Sequence, residues 1–237
     1  MMNPLVALAA LAAAQNPAEL RDFAVDDDGP LIHFIYSWPA EAETPSALGA
    51  AMRAAMARDR ARTIEAARRQ QALARRGHYP FTQHGFTAAW TIEGASARLV
   101  SLSAVTETYA GGGHSEHGYD TRLWDVAARR AVAMRAVLSP AAVAAMGPVF
   151  CPAWEAARAD HYGEAAPDRD SACPPLAERA AAPADVDRNG RFETYRVFIA
   201  TGYFDAEGYT VDLPLRAEDV ARIPAAYRAS FEAAPRP

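Results

Sequence analysis

The chain has 237 residues, 51% of them hydrophobic, which suffices for a core in one large domain or in two small ones. A formal net charge of −5 and a pI near 5.7 argue against a nucleic-acid-binding protein, which needs a basic face to release phosphate counterions. The sequence contains no lysine, which excludes lysine Schiff-base catalysis, pyridoxal phosphate attachment and a P-loop lysine.

Residues 1–14, MMNPLVALAALAAA, form an apolar run that ends in small residues. This pattern is typical of a signal peptide with an Ala-x-Ala cleavage point near Ala14, although no arginine marks a positive n-region. A packed N-terminal helix is the alternative. No later stretch approaches the ~20 apolar residues of a membrane span. We therefore expect a periplasmic or secreted protein whose mature chain has no membrane span.

The first predicted element after this leader is a strand hairpin. Ile32, Phe34 and Tyr36 alternate with less apolar residues, which indicates a strand. An acidic turn at 26–30, which contains Asp-Gly-Pro, joins it to the strand before it.

A long helix is predicted next, from Ser46 or Ala47 to Arg76, with Gly77 as its stop. Alanine and arginine favour the helix intrinsically, and glutamate and aspartate between the arginines indicate a solvated face. A thin apolar stripe is formed by Leu48, Met52, Met56, Ile64 and Leu73.

Strands and short helices follow. Segment 86–114 predicts two strands around a Gly-Ala-Ser turn, and 119–134 predicts two more around an Ala-Arg-Arg turn. Ser139 as N-cap, Pro140 as first residue and Gly147 as stop predict a short helix. The remaining predicted elements are strands within 191–204 and 208–215 and helical turns within 216–231. The fold class is therefore α+β: antiparallel sheets, one long early helix and short C-terminal helices.

The two cysteines, Cys151 and Cys173, bound a polar segment that contains proline. In an oxidising compartment a single pair is most simply one disulfide. A catalytic thiol is the alternative, but neither cysteine lies in a nucleophile motif.

The segment YAGGGHSEHGYD, residues 109–120, raises the question of a functional loop. Contiguous glycines before a strand do not match a nucleotide-binding G-x-G-x-x-G loop. His114 and His117 lack the partners of a zinc site, although Glu116 and Asp120 offer oxygen ligands. We expect a bulge or tight hairpin turn with positive-φ glycines and a locally hydrogen-bonded His114. The other histidines are expected to be packed or on the surface: His33, His78, His84 and His161.

The stretch DVDRNGRFE, residues 185–193, matches the first half of an EF-hand calcium loop. Asp185, Asp187 and Asn189 supply alternating side-chain oxygens before the turn at Gly190. The list of possible calcium ligands is completed by the Arg191 carbonyl and by Glu193. The twelfth position holds an arginine rather than a glutamate, so this is not an EF-hand. An Asx-rich turn without a metal is the alternative.

The ordered elements resemble the exported family called domain of unknown function 3298 (DUF3298), which usually follows a smaller domain, 4163. The resemblance covers residues 20–232 and is specific at a strand end where a tyrosine precedes two glycines and a histidine. The matching residues are Leu99 to Ser101, Tyr109, Gly111, Gly112 and His114, and Gly113 replaces the usual alanine. It implies a 4163-like region at 20–95 and a 3298-like domain at 96–232.

Related domains lie in anti-sigma factors that sense lysozyme and beside peptidoglycan deacetylases. The resemblance therefore implies a non-catalytic recognition module of the cell envelope that binds a glycan or a lysozyme-like protein. Two alternatives remain open: an enzyme acting on the cell wall through His114, Glu116 and Asp120, and a structural envelope protein stabilised by calcium.

Overall fold

The computed structural model describes residues 22–163, 172–200 and 208–235, which fold into a six-stranded and a three-stranded sheet with helices. The strands of the larger sheet are β1 (Phe23–Asp28), β2 (Ile32–Trp38), β3 (His84–Ala95), β4 (Leu99–Tyr109), β5 (Glu116–Asp125) and β6 (Arg130–Val132). Those of the smaller sheet are β7 (Ala180–Ala184), β8 (Thr194–Ile199) and β9 (Tyr209–Pro214). The helices are α1 (Ser46–Gly77), α2 (Pro140–Tyr162), α3 (Ala217–Arg222) and α4 (Ala225–Arg228). The predicted α+β class is confirmed, and the expected leader at residues 1–14 lies outside the described residues.

The larger sheet follows chain order from β1 to β6. The predicted β1–β2 hairpin is confirmed, but β2 pairs with β3 in parallel, so this sheet is mixed rather than antiparallel. The cause is α1, which intervenes between these strands. A connection that carries a helix back across a sheet brings the next strand in parallel to the previous one. All other neighbours in both sheets are antiparallel.

One hydrophobic core lies between α1 and the inner face of the larger sheet. The aromatic residues Phe34, Tyr36 and Trp38 of β2 are buried there against Leu48 and Met52 of α1. Farther along the helix the buried residues are Ala67 and Ala74, whereas Leu73 of the predicted stripe is 46% exposed. The helix thus packs closely through alanine, which apolar periodicity alone does not reveal.

The end of α1 differs from its predicted stop. Gly77 is the last helical residue, and His78 has the left-handed conformation that closes the helix, with φ 54°. A Cβ atom at Gly77 would lie 2.5 Å from the Tyr79 ring. Glycine here leaves room for the Tyr79 ring and is not needed for a positive φ.

A second core combines α2, the smaller sheet and one end of the outer face of the larger sheet. The N-terminus of α2 matches its prediction, because Ser139 accepts a hydrogen bond from the Ala142 N–H at 3.2 Å. Gly147 does not stop the helix, however, and α2 continues to Tyr162. The buried side chains of Phe150 and Trp154 lie on this continuation and pack into the second core, which offsets the helix-breaking tendency of its glycine and prolines.

The two sheets are linked by polar and aromatic contacts. Arg196 on β8 forms ion pairs with Glu93 on β3, at 2.8 Å, and with Asp212 on β9, at 2.7 Å. Tyr119 on β5 packs on Phe198 of β8 with ring centroids 5.1 Å apart. The expected domain boundary between residues 95 and 96 falls in the turn between β3 and β4, which are neighbours in one sheet. The division into two family domains remains a prediction.

None of the helices in the described part of the chain combines the length and the hydropathy that crossing a membrane requires.

Candidate functional site

The outer face of the larger sheet, which points away from α1, is only partly covered. Leu99 and Leu123 at one end of this face belong to the second core. At the other end, the strand register aligns His33, Gly85 and Tyr109 in a row across β2, β3 and β4. Side chains in such a row lie on the same face of a sheet. This open end is the first candidate site.

Gly85 leaves a depression in the middle of the row because it has no side chain. A Cβ atom there would lie 3.3 Å from the Tyr109 Cβ atom, so that a larger residue would crowd the tyrosine. The resulting cavity, here called the sheet groove, has a volume of about 440 Å³. Its lining residues include His33, Gln83, Gly85, Thr87, Glu107 and Tyr109.

Hydrogen bonds hold the polar rim of the sheet groove in place. The His33 ring nitrogen Nε2 lies 3.2 Å from Asp26 Oδ1 on the neighbouring strand. The Gln83 amide donates to Asp28 Oδ1 at 2.8 Å and to the Gly29 carbonyl at 2.7 Å. Thr87 and Glu107 face each other across β3 and β4. The rim therefore offers both donors and acceptors, and hydrogen bonds hold His33 and Gln83 in position.

The glycine-rich turn joins β4 to β5 beside the sheet groove. Gly111 has φ 83°, as predicted, whereas Gly112 and Gly113 do not have positive φ values. A Cβ atom at Gly112 or Gly113 would meet nothing within 4 Å, but one at Gly111 would lie 3.5 Å from Thr82 Cβ. Only Gly111 has a conformational reason to be glycine. The role of Tyr109, the three glycines and His114 in binding remains a prediction.

His114 and Glu116 line a separate cavity of about 370 Å³ under this turn. Asp120 does not line it, because Asp120 lies four residues farther along β5, a span of about 13 Å. Asp120 instead lies near Asp59 of α1, where burial and then this neighbouring carboxylate raise the pKa of Asp59. The structure therefore does not bring His114, Glu116 and Asp120 together into one catalytic cluster.

The acidic loop between β7 and β8 is the second candidate site. One carboxylate oxygen from each of Asp185, Asp187 and Glu193 lies within 4.8 Å of the others. The Gly190 N–H donates to Asp185 at 2.8 Å, and the Asn189 N–H donates to Asp185 at 3.0 Å and to Asp187 at 3.2 Å. Gly190 has φ 86° and makes the predicted sharp turn. The structure thus brings together the three predicted carboxylates.

Glu193 is the buried member of this loop and is 4% exposed. Its Oε1 atom accepts a hydrogen bond from the Val186 N–H at 2.7 Å. Its Oε2 atom is buried and has no hydrogen-bond partner among the described residues. Burial raises the pKa of Glu193, and the Asp187 and Asp185 carboxylates raise it further.

The arginines in and after the acidic loop form ion pairs with carboxylates outside the three-carboxylate cluster. The Arg191 side chain donates to the Phe231 carbonyl at 2.8 Å and pairs with Glu232 at 3.3 Å. Glu232 also accepts a hydrogen bond from the Asn189 amide, which the sequence pattern did not predict. At the twelfth position Arg196 is committed to its ion pairs on β3 and β9. A carbonyl ligand from Arg191 remains a prediction.

The predicted disulfide between Cys151 and Cys173 is present. It joins α2 to the segment before β7 across 22 residues, with Cα atoms 5.6 Å apart. Neither cysteine is free for thiol chemistry.

No family model and no curated protein matches this chain. A solved structure of a DUF3298 family member from Bacteroides fragilis matches with a TM-score of 0.50 and 9% identity, over 88% of this chain and 95% of that chain. This chain shares its fold. A DUF3298 family structure from Pseudomonas aeruginosa matches at a TM-score of 0.45 and 13% identity, over 85% of this chain and 92% of that one.

Several residues of the two sites were not predicted from the sequence to belong to them. His33, Gly85 and Glu107 come together only through the register of three strands, and Glu232 reaches the acidic loop from the far end of the chain. One local signal was available: a glycine inside a strand marks a close approach or a bulge, and Gly85 has that position.

Proposed function

We propose that this protein is an exported recognition module that binds a glycan of the cell envelope in the sheet groove. The observation that carries the proposal is the row formed by His33, Gly85 and Tyr109, in which glycine opens a depression beside an aromatic ring. A volume of about 440 Å³ is within the range of small-molecule sites.

The groups around the groove suit a sugar. Saccharide hydroxyls both donate and accept hydrogen bonds, and the rim offers the His33 ring, the Thr87 hydroxyl and the Glu107 carboxylate. The Tyr109 ring supplies the apolar surface on which the C–H face of a sugar ring packs.

The spacing of these groups favours two separate ligand contacts over a hydrogen-bonded pair of a general base and the group that orients it. His33 and Glu107 lie on strands separated by β3, which places their backbones about 10 Å apart. A general base and the group that orients it lie within hydrogen-bond reach, at about 3 Å. These two side chains therefore act as separate contacts to a ligand.

Export is supported by the disulfide and by the apolar run at residues 1–14, which is typical of a signal peptide. A disulfide between the two cysteines of a chain is typical of proteins that fold in oxidising compartments. A periplasmic or secreted location places the groove where wall glycans are present.

The test is binding of the purified protein to peptidoglycan and to soluble N-acetylglucosamine oligosaccharides, followed by titration in NMR spectra. Tyr109→Ala should weaken binding about tenfold, because the loss of an aromatic contact removes up to about 1.5 kcal/mol. Tyr79→Ala is the matched control, since Tyr79 is 45% exposed and lies outside the groove. Absence of glycan binding by the parent protein, or equal losses in both variants, refutes the proposal. Binding to lysozyme alone would instead favour the protein-ligand alternative.

A further inference from the structure

We infer that the acidic loop between β7 and β8 is a calcium site, with Asp185, Asp187 and Glu193 as its carboxylate ligands. This inference is independent of the glycan proposal, because the loop lies outside the sheet groove. Three carboxylates within 4.8 Å of one another repel each other unless a cation or a proton lies between them.

The unpartnered oxygen of Glu193 is the second and independent observation. Buried polar atoms are nearly always hydrogen-bonded, and an orphaned one requires an explanation such as an ion. Glu193 is 4% exposed, its Oε2 atom has no partner within the described residues, and its carboxylate belongs to the cluster. A cation that the Glu193 carboxylate binds through Oε2 would supply the missing partner.

The hydrogen bonds already present in the loop are compatible with a bound ion. The Asn189 and Gly190 N–H groups hold Asp185, and the Val186 N–H holds Glu193 through Oε1. A carboxylate oxygen has more than one acceptor position, so an oxygen that accepts an N–H can still coordinate a cation. The loop therefore holds two of its carboxylates in place before any ion enters.

The chemistry of the donors selects calcium. The cluster offers oxygen donors only, and its loop contains neither histidine nor cysteine, the residues that zinc and copper prefer. Irregular carboxylate geometry with a sharp glycine turn suits the flexible coordination of calcium better than the strict octahedron of magnesium. Glu232, which contacts Asn189, places a fourth carboxylate beside the loop.

The site lies where the two sheets meet. The Asp185 N–H donates to the Glu93 carbonyl on β3 at 2.9 Å. Phe192, in the same loop, is fully buried against Phe231 with ring centroids 5.2 Å apart. Calcium bound here fastens the loop, and through it the smaller sheet, to the larger one.

The experiment is calorimetric titration of the full chain with calcium after treatment with a chelator, together with thermal unfolding. The parent protein should bind calcium with Kd in the range of about 10⁻⁴ to 10⁻³ M and should unfold several degrees higher with the ion. Glu193→Gln and Asp187→Asn should each weaken binding at least about tenfold. Glu65→Gln on α1, where the side chain is 71% exposed, should leave binding unchanged.

Circular dichroism shows whether each variant is folded, and the parent titration decides the matter even if Glu193→Gln does not fold. No heat and no thermal shift with millimolar calcium overturns the inference. Equal calcium binding by the parent and by folded Glu193→Gln and Asp187→Asn also overturns it, and an equal response to magnesium overturns the choice of calcium.

Discussion

Gly94 shows at the scale of one residue how the two sheets approach each other. A Cβ atom at Gly94 would lie 2.6 Å from the Asp185 Cβ atom, 2.8 Å from the Asp185 nitrogen and 2.9 Å from the Phe192 ring. The register of β3 and β4 shifts between Ile92 and Gly94, which marks a bulge at this point. The missing side chain thus leaves the space that the acidic loop occupies.

Gly94→Ala should therefore destabilise the protein by about 1–3 kcal/mol, because the methyl group overlaps atoms of the loop backbone. Gly113→Ala is the matched control: its methyl group would meet nothing within 4 Å, and its cost should stay within about 0.5 kcal/mol. Urea unfolding measures both values. Equal stability of the two variants would contradict this account of Gly94.

A second single residue, His84, should make the free energy of unfolding depend on pH. It is 6% exposed, its Nε2 atom has no partner among the described residues, and burial lowers its pKa. Below its ordinary pKa of about 6.5 the unfolded chain binds a proton that the folded chain does not bind. The free energy of unfolding should therefore fall as pH drops from about 6.5 towards the lowered pKa of the folded protein.

His84→Phe should remove that part of the pH dependence. Chemical denaturation of parent and variant at a series of pH values between neutral and mildly acidic measures the difference. Parallel stability profiles for the two proteins would be inconsistent with a neutral, buried His84.

At the scale of elements, α2 shows how packing overrides local sequence signals. Pro148 and Pro152 lie inside the helix and lack the N–H groups that would donate to the preceding turn. The helix persists because Phe150 and Trp154 are buried in the second core and because Cys151 is tied to Cys173. The disulfide thus secures a helix that its own sequence weakens.

Replacing both cysteines by serine should lower the free energy of unfolding by about 3 kcal/mol, because the bridge restricts the unfolded chain over its 22-residue separation. Urea denaturation measures the loss. A reducing agent should reproduce it in the parent protein and leave the double variant unchanged. A parent midpoint that does not respond to reduction would rule out a stabilising bridge.

Elements that depend on local chemistry were predictable from the sequence, and those that depend on distant packing were not. The Ser139 cap, the Gly190 turn and the alternating strand β2 follow from neighbouring residues. The parallel pairing of β2 with β3 and the continuation of α2 past Gly147 depend on partners far along the chain. The acidic loop was recognised as a local pattern, but the burial of Glu193 was not, because it arises from tertiary packing.

At the scale of the whole molecule, the two cores divide the larger sheet between them. The core under α1 occupies the inner face, and the second core occupies one end of the outer face. The sheet groove lies at the opposite end of the outer face, and Val105, between the groove and the second core, is 43% exposed. The groove is thus a product of topology, since a smaller sheet of three strands covers only part of a sheet of six. The order of strands cannot be read from periodicity, and the groove therefore could not be predicted.

The backbone of Phe192 also ties the carboxyl-terminal segment to the acidic loop. The Phe192 N–H donates to the Ser230 carbonyl at 2.9 Å, and the Glu232 N–H donates to the Phe192 carbonyl at 3.1 Å. An exopeptidase that trims the chain past Glu232 removes one of these partners without cutting any strand. The rate of such trimming should therefore report how often the carboxyl-terminal segment detaches from Phe192.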